Sequence, residues 1–139
     1  MGGFLIDTNV ISESHQRTPN RKVMDWLDAQ PESELFLSAV TLGELQSGAA
    51  RLPEGPKRRR LLTWINNDLR QRFAGRILPV DERVGLAWGN LLAANWQQPL
   101  PTVDSLIAAT ALAYGLTLAT RNTQDMARTG VSLFNPWDE

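Results

Sequence analysis

Cysteine is absent from the 139 residues of this chain. The absence excludes disulfides and thiolate metal sites, and it fits the reducing cytoplasm, where we expect the protein to reside. No apolar run approaches the roughly 18 residues that a membrane-spanning helix needs, so we expect no membrane contact. The first apolar run is short and begins at Phe4, so we expect no signal peptide.

Histidine is almost absent, because His15 is the only one. A zinc site built on histidine and cysteine is therefore excluded. His15 follows a predicted short helical turn, and an exposed loop histidine is a simpler interpretation than a catalytic one.

Net charge is small, at −1, but the positive charge is unevenly distributed. Nine of the 14 basic residues lie between Arg51 and Arg83, including the consecutive run 57–60. Such a local excess can attract a polyanion to a protein that is neutral overall. A solvated helix face explains the run equally well, and both interpretations stay open.

Short apolar runs alternate with amphipathic segments along the chain. Strands are predicted over residues 4–6, 35–37, 77–80, 116–119 and 131–134. Helices are predicted over 21–29, 41–50, 57–72, 82–95 and 102–114. Asn20 and Asp81 are predicted to cap the helices that follow them, and Gly115 is predicted to end the last of the five. This alternation predicts an α/β sandwich with a mainly parallel sheet, and the length predicts one domain.

Four acidic residues map to one edge of that sheet. Asp7 directly follows the first strand, and Glu44 lies in the first turn of the predicted helix after the second strand. Asp104 lies in the first turn of the helix that leads to the fourth strand, and Asp125 lies just beyond that strand. Ligands of open α/β sheets bind at the carboxyl ends of the strands, so we expect these carboxylates to converge there.

Each acid also has a simpler structural explanation. Asp7 and Asp125 could cap the helices that follow them, and the helix dipole favours Asp104 in a first turn. Glu44 completes the capping-box pattern Thr41-x-x-Glu44. These explanations stay open for each residue singly, but they do not explain why the acids gather at one edge.

A ligand set made only of oxygen atoms suits Mg²⁺ or Mn²⁺ and does not suit zinc. Clustered carboxylates repel one another, so some stay protonated unless a cation is present. One or two such ions would activate a water and stabilise the leaving oxygen of a phosphodiester. The acids therefore predict a divalent-metal site in which no side chain needs to be the general base.

Four segments, taken in order, resemble the PIN-domain ribonucleases, and among these the VapC toxins and their FitB-like branch. They cover residues 4–10, 41–44, 104–109 and 119–123, and the segments 73–79 and 134–137 fit the FitB-like branch. The resemblance extends over essentially the whole chain, and the ordered set is more specific than any one motif.

The resemblance implies a single PIN domain over residues 1–139, folded as a three-layer α/β/α sandwich. It implies an endoribonuclease that depends on Mg²⁺ or Mn²⁺ and serves as the toxin of a type II toxin–antitoxin pair. A small cognate antitoxin would inhibit it and would also bind the operator DNA. Homodimers and larger toxin–antitoxin hetero-oligomers are usual in that family.

Carried over by position, Asp7, Glu44 and Asp104 match the acidic core, and Asp7 and Asp104 would hold the metal directly. FitB-like members often have aspartate where this chain has Asn122, and the nearby acid here is Asp125. Asn122 could still coordinate through its amide oxygen or hold a metal-bound water, so the fourth ligand and a second metal stay open. Hydrogen bonds that orient the carboxylates are expected from Thr8, Asn9 and Thr120.

Two other functions remain possible from the residues. A phosphoryl-handling α/β domain, such as a dehalogenase-like phosphatase or a receiver, also places an acid after the first strand. The first would need a second aspartate where this chain has Asn9, and the second a late lysine, whereas the last one here is Lys57. A non-catalytic module that binds nucleic acid or protein through the basic region 51–83 is the other alternative.

Overall fold

The computed structural model describes residues 2–138. Five strands are present: β1 Phe4–Ile6, β2 Leu35–Ser38, β3 Ile77–Leu78, β4 Thr117–Ala119 and β5 Leu133–Phe134. The α-helices are α1 Thr8–Ile11, α2 Arg21–Ala29, α3 Ala39–Ala50, α4 Pro56–Thr63, α5 Arg70–Arg72, α6 Glu82–Ala94, α7 Thr102–Tyr114 and α8 Thr123–Met126. A π-helical segment, Trp64–Leu69, joins α4 to α5, and short 3₁₀ turns cover Ser12–His15, Glu32–Glu34 and Ala127–Thr129.

The five strands form one sheet in the order β3-β2-β1-β4-β5, and every pair is parallel. The chain moves outward from β1 to β3 and then returns to place β4 and β5 on the other side of β1. The strand order therefore reverses between β1 and β4, and such a reversal is where open α/β sheets bind ligands. The parallel α/β sandwich predicted from the sequence is confirmed, and β3 lies at an edge of the sheet.

Neighbouring residues of a strand point to opposite faces of the sheet. Both faces carry apolar side chains here, and helices cover both of them. Leu5 and Leu118 pack into a core with α6 and α7, whereas Ile6 and Ala119 pack into a second core with α2. All four side chains are fully buried. The central strand β1 is apolar throughout for this reason, as expected of a sheet covered on both sides.

Three helix boundaries lie at the capping residues predicted from the sequence. The Asn20 side chain accepts a hydrogen bond from the amide of Val23 at the start of α2, and Asp81 accepts one from the amide of Val84 at the start of α6. Gly115 ends α7 in the left-handed conformation, at φ 67°. None of the helices in residues 2–138 has the length and apolarity to cross a membrane.

The predicted capping box at Thr41 and Glu44 is wrong. Helix α3 begins at Ala39, and Ser38 caps it by accepting a hydrogen bond from the amide of Val40 at 3.0 Å. Glu44 consequently lies in the second turn of α3 rather than the first. Asp125 does not precede the last helix as predicted, because α8 already begins at Thr123.

The predicted helix over residues 57–72 is present but not uniform. It starts at Pro56 and widens into the π-helical segment, where Asn66 donates a hydrogen bond from its side chain to the carbonyl of Leu62. Such side-chain bonds compete with regular helical pairing. Leu86 of α6 is 73% exposed because Val84 and Leu91 occupy the buried face of that helix.

Candidate active site

Asp7 lies at the carboxyl end of the central strand β1, where the strand order reverses, and only 4% of it is exposed. Its Oδ1 accepts a hydrogen bond from the amide of Thr8 at 2.8 Å, and its Oδ2 accepts one from the Thr120 hydroxyl at 2.7 Å. The backbone amide of Asp7 donates to the carbonyl of Ala119 at 3.0 Å. Asp7 therefore caps α1 and also presents a buried carboxylate at this edge.

The pKa of Asp7 is raised above its ordinary value. Burial is the main cause, and the negative charges of Glu44 and Asp104 add to it, while the hydrogen bonds from Thr120 and Thr8 act in the opposite direction. Two donors thus fail to offset the cost of keeping this carboxylate charged out of water. A nearby cation would favour the charged form.

Glu44 is half-buried on α3, beside the end of β1. The hydroxyl of Thr8 donates to its Oε1 at 2.5 Å and also lies 3.3 Å from the hydroxyl of Thr41, which is fully buried. Thr8 therefore contacts two of the acidic residues, because its amide donates to Asp7 and its hydroxyl donates to Glu44. Sequence reasoning missed the role of Thr41, since nothing local marks a helix threonine as facing another hydroxyl.

Asp104 and Asp125 extend the acidic region away from Asp7. Asp104 is half-buried in the first turn of α7, and its pKa is raised by burial and by the negative charge of Asp125. Asp125 is exposed in the first turn of α8. Electrostatic interactions therefore connect neighbouring acids in the spatial order Glu44, Asp7, Asp104 and Asp125.

Asn122 and Asn9 border the same edge without touching a carboxylate. Asn122 is exposed before α8, and its backbone amide donates to the hydroxyl of Thr120 at 3.0 Å. Asn9 donates to the same hydroxyl at 3.4 Å and accepts a hydrogen bond from the amide of Arg121 at 3.2 Å. Thr8 and Thr120 thus contact the acids directly, whereas Asn9 acts through Thr120.

The acids do not form a ready-made metal cluster. In residues 2–138 no three histidine, aspartate or glutamate side chains lie close enough together to hold an ion. The assignment of these acids to a metal site stays a prediction. Mg²⁺ needs only one or two carboxylates, with waters and substrate phosphates completing its shell, so Asp7 and Asp104 fit such an ion.

A model of the PIN domain matches this chain over residues 4–131. The chain belongs to the PIN-domain family. The match includes every strand except β5 and all of the acidic residues described above. The assignment argues against the dehalogenase-like and receiver alternatives, in agreement with the missing second aspartate at Asn9.

Several bacterial proteins are similar to this PIN domain over almost their whole length. The plasmid stability protein StbB of Pseudomonas syringae pv. tomato is 42% identical over 97% of this chain and 99% of its own. The toxin FitB of Neisseria gonorrhoeae is 39% identical, with 98% and 99% coverage, and the VapC ribonuclease Y4jK of Sinorhizobium fredii is 37% identical, with 97% and 98% coverage. The resemblance to FitB and VapC proteins is confirmed.

Solved structures agree with this relationship. The crystal structure of FitAcB from Neisseria gonorrhoeae aligns with a TM-score of 0.92 at 38% identity, covering 98% of this PIN domain and 99% of that chain. The structure of FitAB bound to an IR36 DNA fragment aligns with a TM-score of 0.90 at 38% identity, covering 96% and 95%. The three-layer fold predicted from sequence is confirmed.

Proposed function

We propose that this protein is a metal-dependent endoribonuclease and the toxin of a type II toxin–antitoxin pair. The observation that carries the proposal is Asp7, a buried carboxylate at the strand-order reversal whose pKa is raised in part by two other acids. A site that costs this much to keep charged suits a divalent cation. The similarity to proteins named toxin FitB and VapC ribonuclease supports RNA as the substrate.

The acidic residues divide into direct ligands and supporting groups. Asp7 and Asp104 hold Mg²⁺ or Mn²⁺, and Glu44 completes the pocket directly or through water. Asp125, with Asn122 as the alternative, provides the fourth position. Thr8 and Thr120 fix the carboxylates by the hydrogen bonds described above. Held by these residues, a divalent ion would supply activation of a water and stabilisation of the charge on the departing oxygen of the phosphodiester.

The partner of this toxin is a small cognate antitoxin that binds operator DNA. The support is the similarity to FitAB, which has been solved bound to a DNA fragment. The protein acts as a homodimer and in hetero-oligomers with the antitoxin, in the cytoplasm. This protein associates with operator DNA only through the antitoxin.

RNA cleavage tests the proposal most directly. Purified protein should cleave single-stranded RNA with Mg²⁺ or Mn²⁺ and lose this activity in EDTA. Asp7→Asn should lower cleavage at least about 100-fold, since loss of a direct ligand should exceed the roughly 10- to 100-fold effect of supporting groups. Asp25→Asn, an exposed aspartate on α2, is the matched control and should cleave normally.

Metal binding separates the nuclease from the non-catalytic alternative. Calorimetry should detect Mn²⁺ binding to the wild type and to Asp25→Asn, and weaker binding to Asp7→Asn. Equal RNA cleavage by the wild type and Asp7→Asn would remove the nuclease proposal. RNA or protein binding without any Mn²⁺ affinity would instead support a binding module.

A further inference from the structure

A groove of about 410 Å³ opens beside the candidate active site. Glu44 lines one wall, so the groove and the acidic region share a residue. The other walls come from the 3₁₀ turn Ser12–His15, from α4 and from the π-helical segment. Its volume lies within the roughly 300–1,000 Å³ typical of sites for small organic groups.

Two aromatic rings meet in this groove. The ring centroids of His15 and Trp64 are 3.9 Å apart, with their planes inclined at 49°. Trp64 is half-buried and therefore held in place, while His15 is exposed. Partial burial lowers the pKa of the His15 imidazole, although the charge of Asp68 acts in the opposite direction. Flat aromatic rings of this kind stack on nucleobases.

Positive charge lies on the same groove. Lys57 and Arg60 line it, and in residues 2–138 neither has an acidic side chain within ion-pair distance. By contrast, Arg58 in the same run pairs with Glu54 at 3.9 Å. The two cations therefore remain available to an anionic ligand that enters the groove.

We propose that this groove binds one unpaired nucleobase of a single-stranded RNA, stacked on the His15–Trp64 pair, with Lys57 and Arg60 on the adjacent phosphates. The inference rests on the proposed ribonuclease function and deepens it. Since the groove adjoins Glu44, the bound base fixes which phosphodiester lies at the acidic residues. Aromatic rings combined with free cations favour RNA over an acidic peptide, which would need the cations alone.

Steady-state cleavage of a short single-stranded RNA provides the first test. His15→Ala and Trp64→Ala should each raise KM by roughly 5- to 100-fold, the usual effect of removing one base-stacking side chain. Trp64→Phe should retain most of the affinity, because it keeps a stacking ring and guards against misfolding in Trp64→Ala. Trp96→Ala, which changes a 70% exposed tryptophan outside the groove, is the matched control and should not change KM.

The contribution of positive charge to RNA binding can be tested with a matched pair of variants, because the chain contains only two lysines. Lys57→Ala should raise KM and reduce its dependence on salt, whereas Lys22→Ala, on α2 outside the groove, should do neither. Cleavage of a randomised RNA pool should also lose its preferred base near the cut in His15→Ala. A preserved cut-site pattern and unchanged KM in both His15→Ala and Trp64→Ala would overturn the proposal.

His15 allows a binding test that does not need catalysis, since the single imidazole gives one set of NMR signals. A mixed-sequence RNA hexamer added in EDTA should shift these signals by the ring current of a stacked base. An abasic hexamer of the same length should bind through its phosphates but should not produce the ring-current shift. Equal shifts from both hexamers would contradict base stacking.

These measurements separate the two proposals. A wild-type protein that fails to cleave RNA with either metal, yet shows the base-dependent shift at His15, contradicts the nuclease function and retains the base site. Metal-dependent cleavage that His15→Ala and Trp64→Ala leave unaltered contradicts the base site alone. If these variants weaken only the association with an antitoxin, the groove is a protein site and the inference is wrong.

Discussion

Thr120 donates a hydrogen bond from its hydroxyl to the carboxylate of Asp7 at 2.7 Å, although the two residues are 113 positions apart. Both are buried, and each directly follows a central strand, Asp7 after β1 and Thr120 after β4. The bond therefore crosses the point where the strand order reverses. It couples the stability of the sheet edge to the orientation of the candidate catalytic carboxylate.

Replacing Thr120 with valine should destabilise the protein. Thr120→Val keeps the shape but leaves one oxygen of Asp7 without its donor, which should cost about 1–3 kcal/mol in the free energy of unfolding. Urea unfolding measures this change. Thr110→Val is the control, since this equally buried hydroxyl binds only the carbonyl of Leu106 within α7. Equal losses in the two variants would show that the bond to Asp7 has no special role.

Asp7 should make stability depend on pH in a predictable direction. Its pKa is raised above 3.8 in the folded protein, so the native state holds the proton more tightly than the unfolded state. Stability is therefore lost as pH rises from near 3.8 through the raised pKa, and it stays lower above that range. Asp7→Asn lacks this loss, and in EDTA at neutral pH it should unfold at a higher temperature than the wild type.

The same pair of proteins tests the cation. Free Mg²⁺ at 100 times its Kd should stabilise the wild type by about 2.7 kcal/mol and Asp7→Asn much less. The difference between the two unfolding temperatures should then become smaller or change sign. A wild type that is already the more stable protein in EDTA at neutral pH would contradict the unfavourable burial of Asp7.

The sequence predicted the elements that local chemistry determines. Asn20, Asp81 and Gly115 mark helix ends by bonds or backbone conformations formed within a few residues, and the structure has all three in these roles. The parallel sheet followed from apolar strands separated by helices. The placement of Asp7 at a strand end also needed only the run that precedes it.

Errors occurred where distant contacts decide the outcome. Thr41 resembles a helix cap, but Ser38 takes that role and Thr41 turns towards Thr8 across the sheet edge. The contact between His15 and Trp64 was not predicted, because the two residues are 49 positions apart in the chain.

Replacing either of two glycines with alanine should change the free energy of unfolding, with opposite signs at the two positions. A Cβ on Gly3 would lie 2.8 Å from the carbonyl oxygen of Glu34, a backbone atom between β1 and β2 that cannot move freely. Gly3→Ala should therefore cost about 1–3 kcal/mol. Gly89, within α6, has no atom within 4 Å of such a Cβ, so Gly89→Ala should add about 0.5–1 kcal/mol. Thermal unfolding of both variants decides, and a stabilised Gly3→Ala would contradict the close approach of the strands.

The fourth acidic position can be assigned by moving one charge. If Asp125 supports the metal, Asp125→Asn should weaken Mn²⁺ binding by roughly 10- to 100-fold and lower RNA cleavage in parallel. The double variant Asn122→Asp with Asp125→Asn should recover part of both, because it returns a carboxylate to the same edge, before α8. Asp28→Asn, exposed on α2, is the matched control.

Asp104 gives an independent readout of that change. The negative charge of Asp125 is one of two causes that raise the pKa of Asp104, the other being burial. In metal-free protein, Asp125→Asn should therefore lower the pKa of the Asp104 carboxyl, which carbon NMR can follow. A lower pKa with unchanged Mn²⁺ affinity would place Asp125 beside the metal site but not in it, and Asn122 would then be the better candidate. An unchanged pKa would mean that the two carboxylates do not influence each other at all.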